Sequence, residues 1–338
     1  MQNNELNSMK KVFIAILAAA AFAACNKAEV VESAPAAKIA FDNAFVDNAT
    51  KATDITLANL TDFGVYGTVT KDPNSALIFN NTQVTNNSGV YTYSPVQYWI
   101  EGAQYTFSAY APFTGAKWAF TPADAKDAYN GTLSFNNAEA LGEQDLLFAS
   151  ATHTTPGTLN TTPEAVSFTF SHLLSKVVFK YTNKFTDNNI SLKVYDVKIN
   201  NTAAKGTIPV AAGAAGVWTA ADSDNDYARS FGPATAADAT ALANGVSITT
   251  EHFYLIPVKR NYNITFKVDL YQAGVLLDTY VHSVDTEIDI KTGKSFSFNA
   301  DLTPSNVNPS TQLYPIEFNV NAVGAWDPAV GGTGVTIE

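Results

Sequence analysis

The chain has 338 residues, of which 46% are hydrophobic and 12% aromatic, and its formal net charge is -11. Its 20 Lys and Arg residues form no basic cluster, which argues against a nucleic-acid partner, because phosphate binding needs clustered cations. Cys25 is the only cysteine, so no disulfide can form within one chain. The frequent aromatic and β-branched residues favour β-structure.

Residues 9–25 (MKKVFIAILAAAAFAAC) have the layout of a secretory signal peptide, in which Lys10 and Lys11 precede an uncharged apolar run. This run is shorter than the roughly 20 residues that a membrane-spanning helix needs. Small residues lead into Cys25, an arrangement that resembles a bacterial lipobox. We therefore predict that residues 1–24 are a signal peptide and that Cys25 is lipidated at the mature N-terminus. An ordinary signal peptide followed by an incidental cysteine is the alternative.

The segment after the cysteine predicts a tether, a strand and a loop. Residues 26–35 are small and polar, whereas residues 38–46 (KIAFDNAFV) alternate weakly like a strand. A polar loop follows at residues 47–54 and contains a single basic residue, Lys51. An exposed loop of this kind is where a trypsin-like protease would cut, here between Lys51 and Ala52. A loop with an incidental lysine is the simpler interpretation.

Short alternating segments follow one another between residues 62 and 150 and are separated by turns, a pattern that predicts a β-sandwich or barrel. Residues 152–163 are rich in Thr, Pro and Gly, and we place a domain boundary there. The sequence thus predicts an N-terminal β-sandwich over residues 52–160 and a C-terminal one over residues 161–338. Helix is expected to be minor, because no long stretch keeps a 3.6-residue apolar period.

The second half begins with two strand segments within residues 166–185, followed by a strand at residues 191–200. Residues 203–244 are rich in Ala, Gly and Asp, and we predict a long loop there with one short strand at residues 216–219. Further strands are expected between residues 248 and 302.

The cleanest two-residue alternation in the chain lies after the Pro-, Asn- and Ser-rich break at residues 304–310. Its apolar face consists of Ile316, Phe318, Val320 and Ala322. This strand either folds back as the last strand of its own domain or pairs elsewhere.

Motifs for catalysis and cofactors are missing from the sequence: there is no glycine-rich phosphate loop, no histidine pair at metal spacing and no nucleophile elbow. We predict that the chain is not an enzyme and holds no cofactor or metal. Glu143 and Asp145 are the nearest candidates for a glycosidase carboxylate pair, but solvated residues at a strand start are the favoured interpretation. His172 is expected to pack or cap, and an acidic loop containing Asp222, Asp224 and Asp226 departs from the EF-hand pattern.

A cluster of aromatic residues allows two interpretations. Tyr91, Tyr93, Tyr98 and Trp99 are dense enough to form a platform for stacking sugars. Packing in a β-sandwich core is favoured, because large aromatic side chains dominate such cores.

Several segments together resemble the fimbrillin family of surface lipoproteins and pilins from Bacteroidales. They are the lipobox-like segment ending at Cys25, NATKATD around Lys51, FSHLLSKVVF from Phe170, YLIPV from Tyr254, GKSFSFNADL from Gly293 and the terminal IEFNVNAVGAW. The resemblance spans nearly the whole mature chain and implies two transthyretin-like β-sandwich domains in tandem.

The resemblance also implies a function as a structural subunit of an adhesive cell-surface fimbria. It implies export as an outer-membrane lipoprotein, cleavage near Lys51 by a trypsin-like protease, and assembly with other fimbrial subunits by strand exchange. Lys51 occupies the cleavage position, where the family often has Arg. The removable strand would lie within residues 25–51, and the donor strand of another subunit would come from about residues 311–338. A monomeric surface lipoprotein that binds carbohydrate is the alternative, and a host or bacterial surface ligand is compatible with both.

Overall fold

The computed structural model describes residues 37–46, 60–221, 227–311 and 316–323. These residues form four β-sheets and one four-residue helix, α1 (Asn137–Ala140). The expected all-β fold with little helix is therefore confirmed. No helix within the described ranges is long and apolar enough to cross a membrane.

The first sheet has seven strands and encloses its own core. They are β1 (Phe41–Val46), β2 (Asp62–Lys71), β3 (Asn74–Asn87), β4 (Val90–Tyr93), β5 (Gln104–Ala111), β8 (Leu147–Thr154) and β9 (Val166–His172), in the order β1-β9-β8-β5-β2-β3-β4. The sheet curls until its edges meet, since Lys38 just before β1 bridges to Tyr98 just after β4. Apolar residues alternate inward along the strands and fill the interior, as they do on β9, where Val166, Phe168 and Phe170 are buried.

The second sheet packs on the outer face of the first. It contains β6 (Trp118–Asp124), β7 (Asp127–Asn136), β12 (Lys205–Ala211), β13 (Ala214–Ala215) and β14 (Thr219–Ala220). Aromatic rings form the contact: Tyr66 lies 5.0 Å from Phe120, and Tyr110 lies 5.1 Å from Trp118, between ring centroids.

The prediction of a long loop over residues 203–244 is wrong, because β12 lies within it and pairs with β7. The segment KGTIPVA has a two-residue alternation that buries Ile208 and Val210. Pro209 obscures this signal, since proline rarely occupies a central strand. The proline is tolerated because it falls between the residues that pair with β13 and those that pair with β14.

The third and fourth sheets face each other across a separate core. The third contains β10 (Ser175–Asn183), β17 (Ser247–Thr249), β18 (Phe253–Leu255), β21 (Ser295–Leu302) and β22 (Asn319–Val323). The fourth contains β11 (Ile190–Thr202), β15 (Tyr227–Phe231), β16 (Ala241–Leu242), β19 (Lys259–Gln272) and β20 (Val275–Asp289). Tyr181 of β10 and Phe266 of β19 meet between the two sheets, with ring centroids 5.0 Å apart.

Two strands that follow residue 160 belong to the first two sheets. β9 pairs with β1 and β8, and β12 pairs with β7. These pairings extend the sheets of the first half beyond the boundary expected from sequence. The division into domains at residue 160 stays a prediction.

Candidate strand-exchange site

The N-terminal segment 37–46 is hydrogen-bonded to the chain that follows β4 on one side and to β9 on the other. On one side, Ile39 N donates to Gln97 O over 2.9 Å, and Trp99 N donates to Ala37 O over 2.9 Å. On the other side, Val166 N donates to Ala40 O over 2.8 Å, and β1 continues parallel to β9. The segment therefore links β9 to the chain that follows β4, and its removal would leave the edge of β9 and the backbone of residues 97–99 without these partners.

Two side chains anchor this segment in the core. Ile39 is 1% exposed and Phe41 is 5% exposed. Ring centroids of Phe63, Phe79, Tyr93, Phe107 and Phe168 lie 5.4 to 6.3 Å from that of Phe41. We call these five rings the Phe41 pocket. Because they come from five different strands, the Phe41 ring joins strands that are not neighbours in the sheet.

Tyr93 adds a polar contact to the Phe41 pocket. Its Oη donates a hydrogen bond of 2.6 Å to Ile39 O, which holds the backbone between the two anchors. Burial is the main cause that raises the pKa of the Tyr93 phenol above its ordinary value of 10.0. The hydroxyl therefore stays protonated and remains a donor at physiological pH.

The C-terminal strand β22 folds back onto its own chain. It pairs antiparallel with β21, where Val320 faces Phe298 and Ala322 faces Phe296. In the described part of the chain β21 is its only strand partner. The sequence left open whether this strand folds back within its own domain or pairs elsewhere. In the structure it folds back and lies within the third sheet.

Side chains before and within β22 pack on the core between the third and fourth sheets. Ile316 is 2% exposed, whereas Phe318 and Val320 are half-buried. The Phe318 ring packs against four aromatic rings, those of Phe179, Tyr181, Phe266 and Phe298. The expected apolar face is thus in use in the folded chain, and its role as a donor stays a prediction.

The two terminal segments share a pattern that we did not extract from sequence. Residues 39–42 read Ile-Ala-Phe-Asp and residues 316–319 read Ile-Glu-Phe-Asn. In both, the Ile is buried, the Phe packs among aromatic rings, and the second and fourth residues are exposed. A comparison of one terminal segment with the other would have found this match.

The residues expected to be lipidated and cleaved, Cys25, Lys51 and Ala52, lie outside the described residues. The acidic loop at residues 222–226 lies outside them as well. Lys51 falls in the sequence between Val46, where β1 ends, and Leu60, which is buried in the core of the first sheet.

The aromatic cluster packs inward, as favoured from sequence. Trp99 is 5% exposed and meets Tyr105 edge to face, with ring centroids 4.6 Å apart. Tyr91 and Tyr93 pack against the same core, and only Tyr98 of the four is exposed. The four rings therefore form no shared platform on which a sugar could stack.

Asp145 and His172 form a buried pair at the end of β9. His172 Nδ1 and Asp145 Oδ2 are 2.8 Å apart, and Asp145 Oδ1 accepts a hydrogen bond from Leu146 N. The expected packing role of His172 is confirmed, but Asp145 is buried rather than solvated. Glu143 is exposed, and no cluster of three metal-ligating side chains occurs within the described ranges. The 27-residue separation of the pair gives no local signal in the sequence.

Comparisons with protein families and with solved structures relate the chain to known proteins. A family model described as fimbrillin-like matches residues 50–321. No curated protein matches. A Bacteroides uniformis protein proposed to act in cell adhesion is 16% identical, with 88% of this chain and 100% of that chain covered and a TM-score of 0.50.

Two further solved structures have lower TM-scores. A Bacteroides ovatus protein proposed to act in cell adhesion is 16% identical over 87% of this chain and 99% of its own, with a TM-score of 0.48. The fimbrial anchor protein Mfa2 from Porphyromonas gingivalis is 10% identical, with 86% of this chain and 96% of that chain covered and a TM-score of 0.39. The Bacteroides uniformis structure supports the fold, and the family model covers most of the sequence. The chain therefore belongs to the fimbrillin-like family.

Proposed function

We propose that this chain is a cell-surface fimbrial or adhesin subunit that joins other subunits by strand exchange. Membership of the fimbrillin-like family supports the general role. The observation that carries the proposed mechanism is the position of segment 37–46, which closes the first sheet through backbone hydrogen bonds on both sides. A strand held in this way can be replaced by another strand of the same pattern, because the hydrogen bonds are made by backbone atoms.

In the proposed assembly, the precursor is exported as an outer-membrane lipoprotein anchored through Cys25. The signal-like residues 9–25 support this step. Labelling with a palmitate analogue should mark the chain, and Cys25→Ala should abolish the label. Equal labelling of the variant would contradict lipidation at this residue.

Cleavage between Lys51 and Ala52 would then separate β1 from the body of the subunit. Lys51 is the only basic residue between Lys38 and Lys71, so a trypsin-like protease has one site there. The cut would leave β1 bound through its anchors and hydrogen bonds. Its departure would expose the edge of β9 and the Phe41 pocket, a surface prone to association until another strand fills it.

The donor would be the C-terminal segment of another copy or of a related subunit. Its residues 316–319 match residues 39–42, so Ile316 would replace Ile39 and Phe318 would enter the Phe41 pocket. Val320 and Ala322 would follow on the same face of the donor strand. A donor in this register reproduces the two buried anchors and keeps the intervening residues outward.

We also propose that the chain is built as two transthyretin-like β-sandwich domains in tandem. Their support is the separation of the cores, one around the first two sheets and one between the third and fourth sheets. β9 and β12 contribute to the first two sheets although they follow residue 160.

Limited digestion with trypsin tests the mechanism. Digested protein should form a ladder of polymers, Lys51→Ala should block both the cut and polymer formation, and Lys71→Ala should behave like the unaltered chain. Deletion of residues 313–338 should permit the cut but stop polymer growth. If the digested chain stays monomeric at high concentration, or if the deletion variant still polymerises, strand exchange by this route is wrong.

A further inference from the structure

The outermost strand of the fourth sheet is β20, and one of its edges has no strand partner among the described residues. The sheet order is β15-β11-β19-β20, and within the described ranges β20 pairs with β19 only. The pairing runs without a register shift from Asp278 to Asp289. Its outer N–H and C=O groups are therefore aligned to accept a further strand.

Large aliphatic side chains are exposed along this edge. Val275, Leu276, Leu277 and Val281 are 64%, 49%, 53% and 60% exposed. They are four of the ten large hydrophobic side chains exposed in the described part of the chain. The first three are consecutive, so both faces of the strand expose apolar groups at its start. Packing among the described residues leaves them exposed, and we call these four residues the β20 patch.

Charge distinguishes the occupants that could cover this edge. β20 contains Asp278, Asp285, Glu287 and Asp289 and no Lys or Arg. Glu287 pairs with Lys259 and Asp289 pairs with Lys291, whereas Asp278 and Asp285 form no ion pair with the described residues. The edge thus combines an apolar start with two acidic side chains, Asp278 and Asp285, that have no cationic partner in the part of the chain that the structure describes.

Two occupants from this sequence are disfavoured by the same charges. Antiparallel pairing of β20 with a second copy of itself would bring two acidic strands together, and opposed like charges destabilise a sheet. Residues 324–338 contain Asp327 and Glu338 and also lack Lys and Arg. A basic strand meets the acidic groups without this repulsion.

We propose that the β20 edge binds an extended segment of another protein in which aliphatic residues alternate with Lys or Arg. The backbone of that segment would add to β20. Its aliphatic side chains would cover Leu276 and Val281 on one face, and its cations would lie near Asp278 on the opposite face. The proposed contacts lie at residues 275–285 and include no residue of β1 or β22.

The probe is a fluorescent nine-residue peptide of alternating lysine and valine, and its matched control has glutamate in place of lysine. We expect the lysine peptide to bind at least about tenfold more tightly, with an affinity that falls as salt is raised. Amide hydrogen exchange should slow along residues 275–285 when the peptide is bound. Equal binding of the two peptides, or protection elsewhere, would overturn the proposal.

Two substitutions test whether the peptide binds at the β20 edge. Val281→Lys places a cation at an exposed position of the edge and should weaken binding of the lysine peptide at least about tenfold, since it repels the ligand. Val217→Lys, at a position 79% exposed outside this sheet, should leave binding unchanged. The proposal is overturned if Val281→Lys binds normally. It is also overturned if the β20 amides are already protected without peptide and lose that protection on dilution or on deletion of residues 324–338.

Discussion

The two terminal strands are similar in sequence but are held differently. Segment 37–46 is hydrogen-bonded to residues 97–99 near its start and to β9 along β1, and its anchors Ile39 and Phe41 are almost fully buried. β22 pairs with one neighbour in the described part of the chain, and Phe318 before it is half-buried. The difference indicates that a covalently attached β1 is difficult to displace, whereas β22 can leave its sheet at a lower cost.

This asymmetry has a consequence for assembly. In the intact precursor, a donor from another subunit would have to displace a strand with two sets of backbone hydrogen bonds. After a cut in residues 47–59, displacement of β1 no longer requires local unfolding of an attached chain, and a released strand can diffuse away. The donor gains a second hydrogen-bonded side and a closed aromatic pocket when it moves from the third sheet to the first sheet of a neighbour.

The largest effect should come from truncating the aromatic anchors. Phe41→Ala should lower the free energy of unfolding by about 3–5 kcal/mol, because it empties the Phe41 pocket. Phe318→Ala should lower the free energy of unfolding by roughly half as much, because the Phe318 ring is half-buried. Urea denaturation of the uncleaved chain measures both. Equal losses would contradict the difference in how the two strands are held.

A smaller effect should come from the hydroxyl group of Tyr93. Tyr93→Phe removes the hydrogen bond to Ile39 O and should lower the free energy of unfolding by about 1 kcal/mol. Tyr98→Phe is the matched control, because Tyr98 is 46% exposed, and it should have little effect. In cleaved protein, Tyr93→Phe should also speed the release of β1. A release rate equal to that of Tyr98→Phe would show that this bond does not hold the strand.

The smallest effect should be a pH dependence confined to the core that contacts β22. His282 stacks on Phe266 with ring centroids 4.8 Å apart, and burial is the main cause that lowers the pKa of its imidazole below 6.5. The unfolded chain therefore takes up a proton at a higher pH than the folded chain does. The His282 contribution to stability is complete above about pH 6.5 and is lost as the pH falls below that value.

Denaturation of His282→Phe across this range checks the pH prediction. The variant keeps an aromatic ring beside Phe266 but cannot titrate, so its stability should fall less steeply between pH 6.5 and pH 5. If the stability of His282→Phe falls with pH as steeply as that of the unaltered chain, groups other than His282 cause the pH dependence.

Local patterns in the sequence predicted the strand-forming segments but not the contacts that make the site. The alternation around Ile39 and Ile316 indicated two terminal strands, and the aromatic residues near Trp99 were correctly favoured as core. The Phe41 pocket could not be predicted, because its rings come from strands up to 127 residues away in the chain. The Asp145–His172 pair depends on similar long-range packing, and β12 was missed because Pro209 interrupts its pattern.

Engineered disulfides test strand exchange most directly. In the folded-back chain Asn319 faces Asn299 across β22 and β21, whereas Asp42 faces Ser167 across β1 and β9. If Ile316 replaces Ile39, Asn319 of the donor takes the place of Asp42 and faces Ser167 of the next subunit. Residues in register on paired strands lie within reach of a disulfide.

The measurement compares two double variants in a Cys25→Ser background under mild oxidation. Asn299→Cys with Asn319→Cys should form a disulfide within one chain before trypsin treatment, and this link should block polymer growth until a reductant is added. Ser167→Cys with Asn319→Cys should remain reduced before treatment and should link successive subunits into a covalent ladder afterwards. Polymers that form without any link between residues 167 and 319, while the link between residues 299 and 319 persists, would contradict exchange of the C-terminal strand into the first sheet.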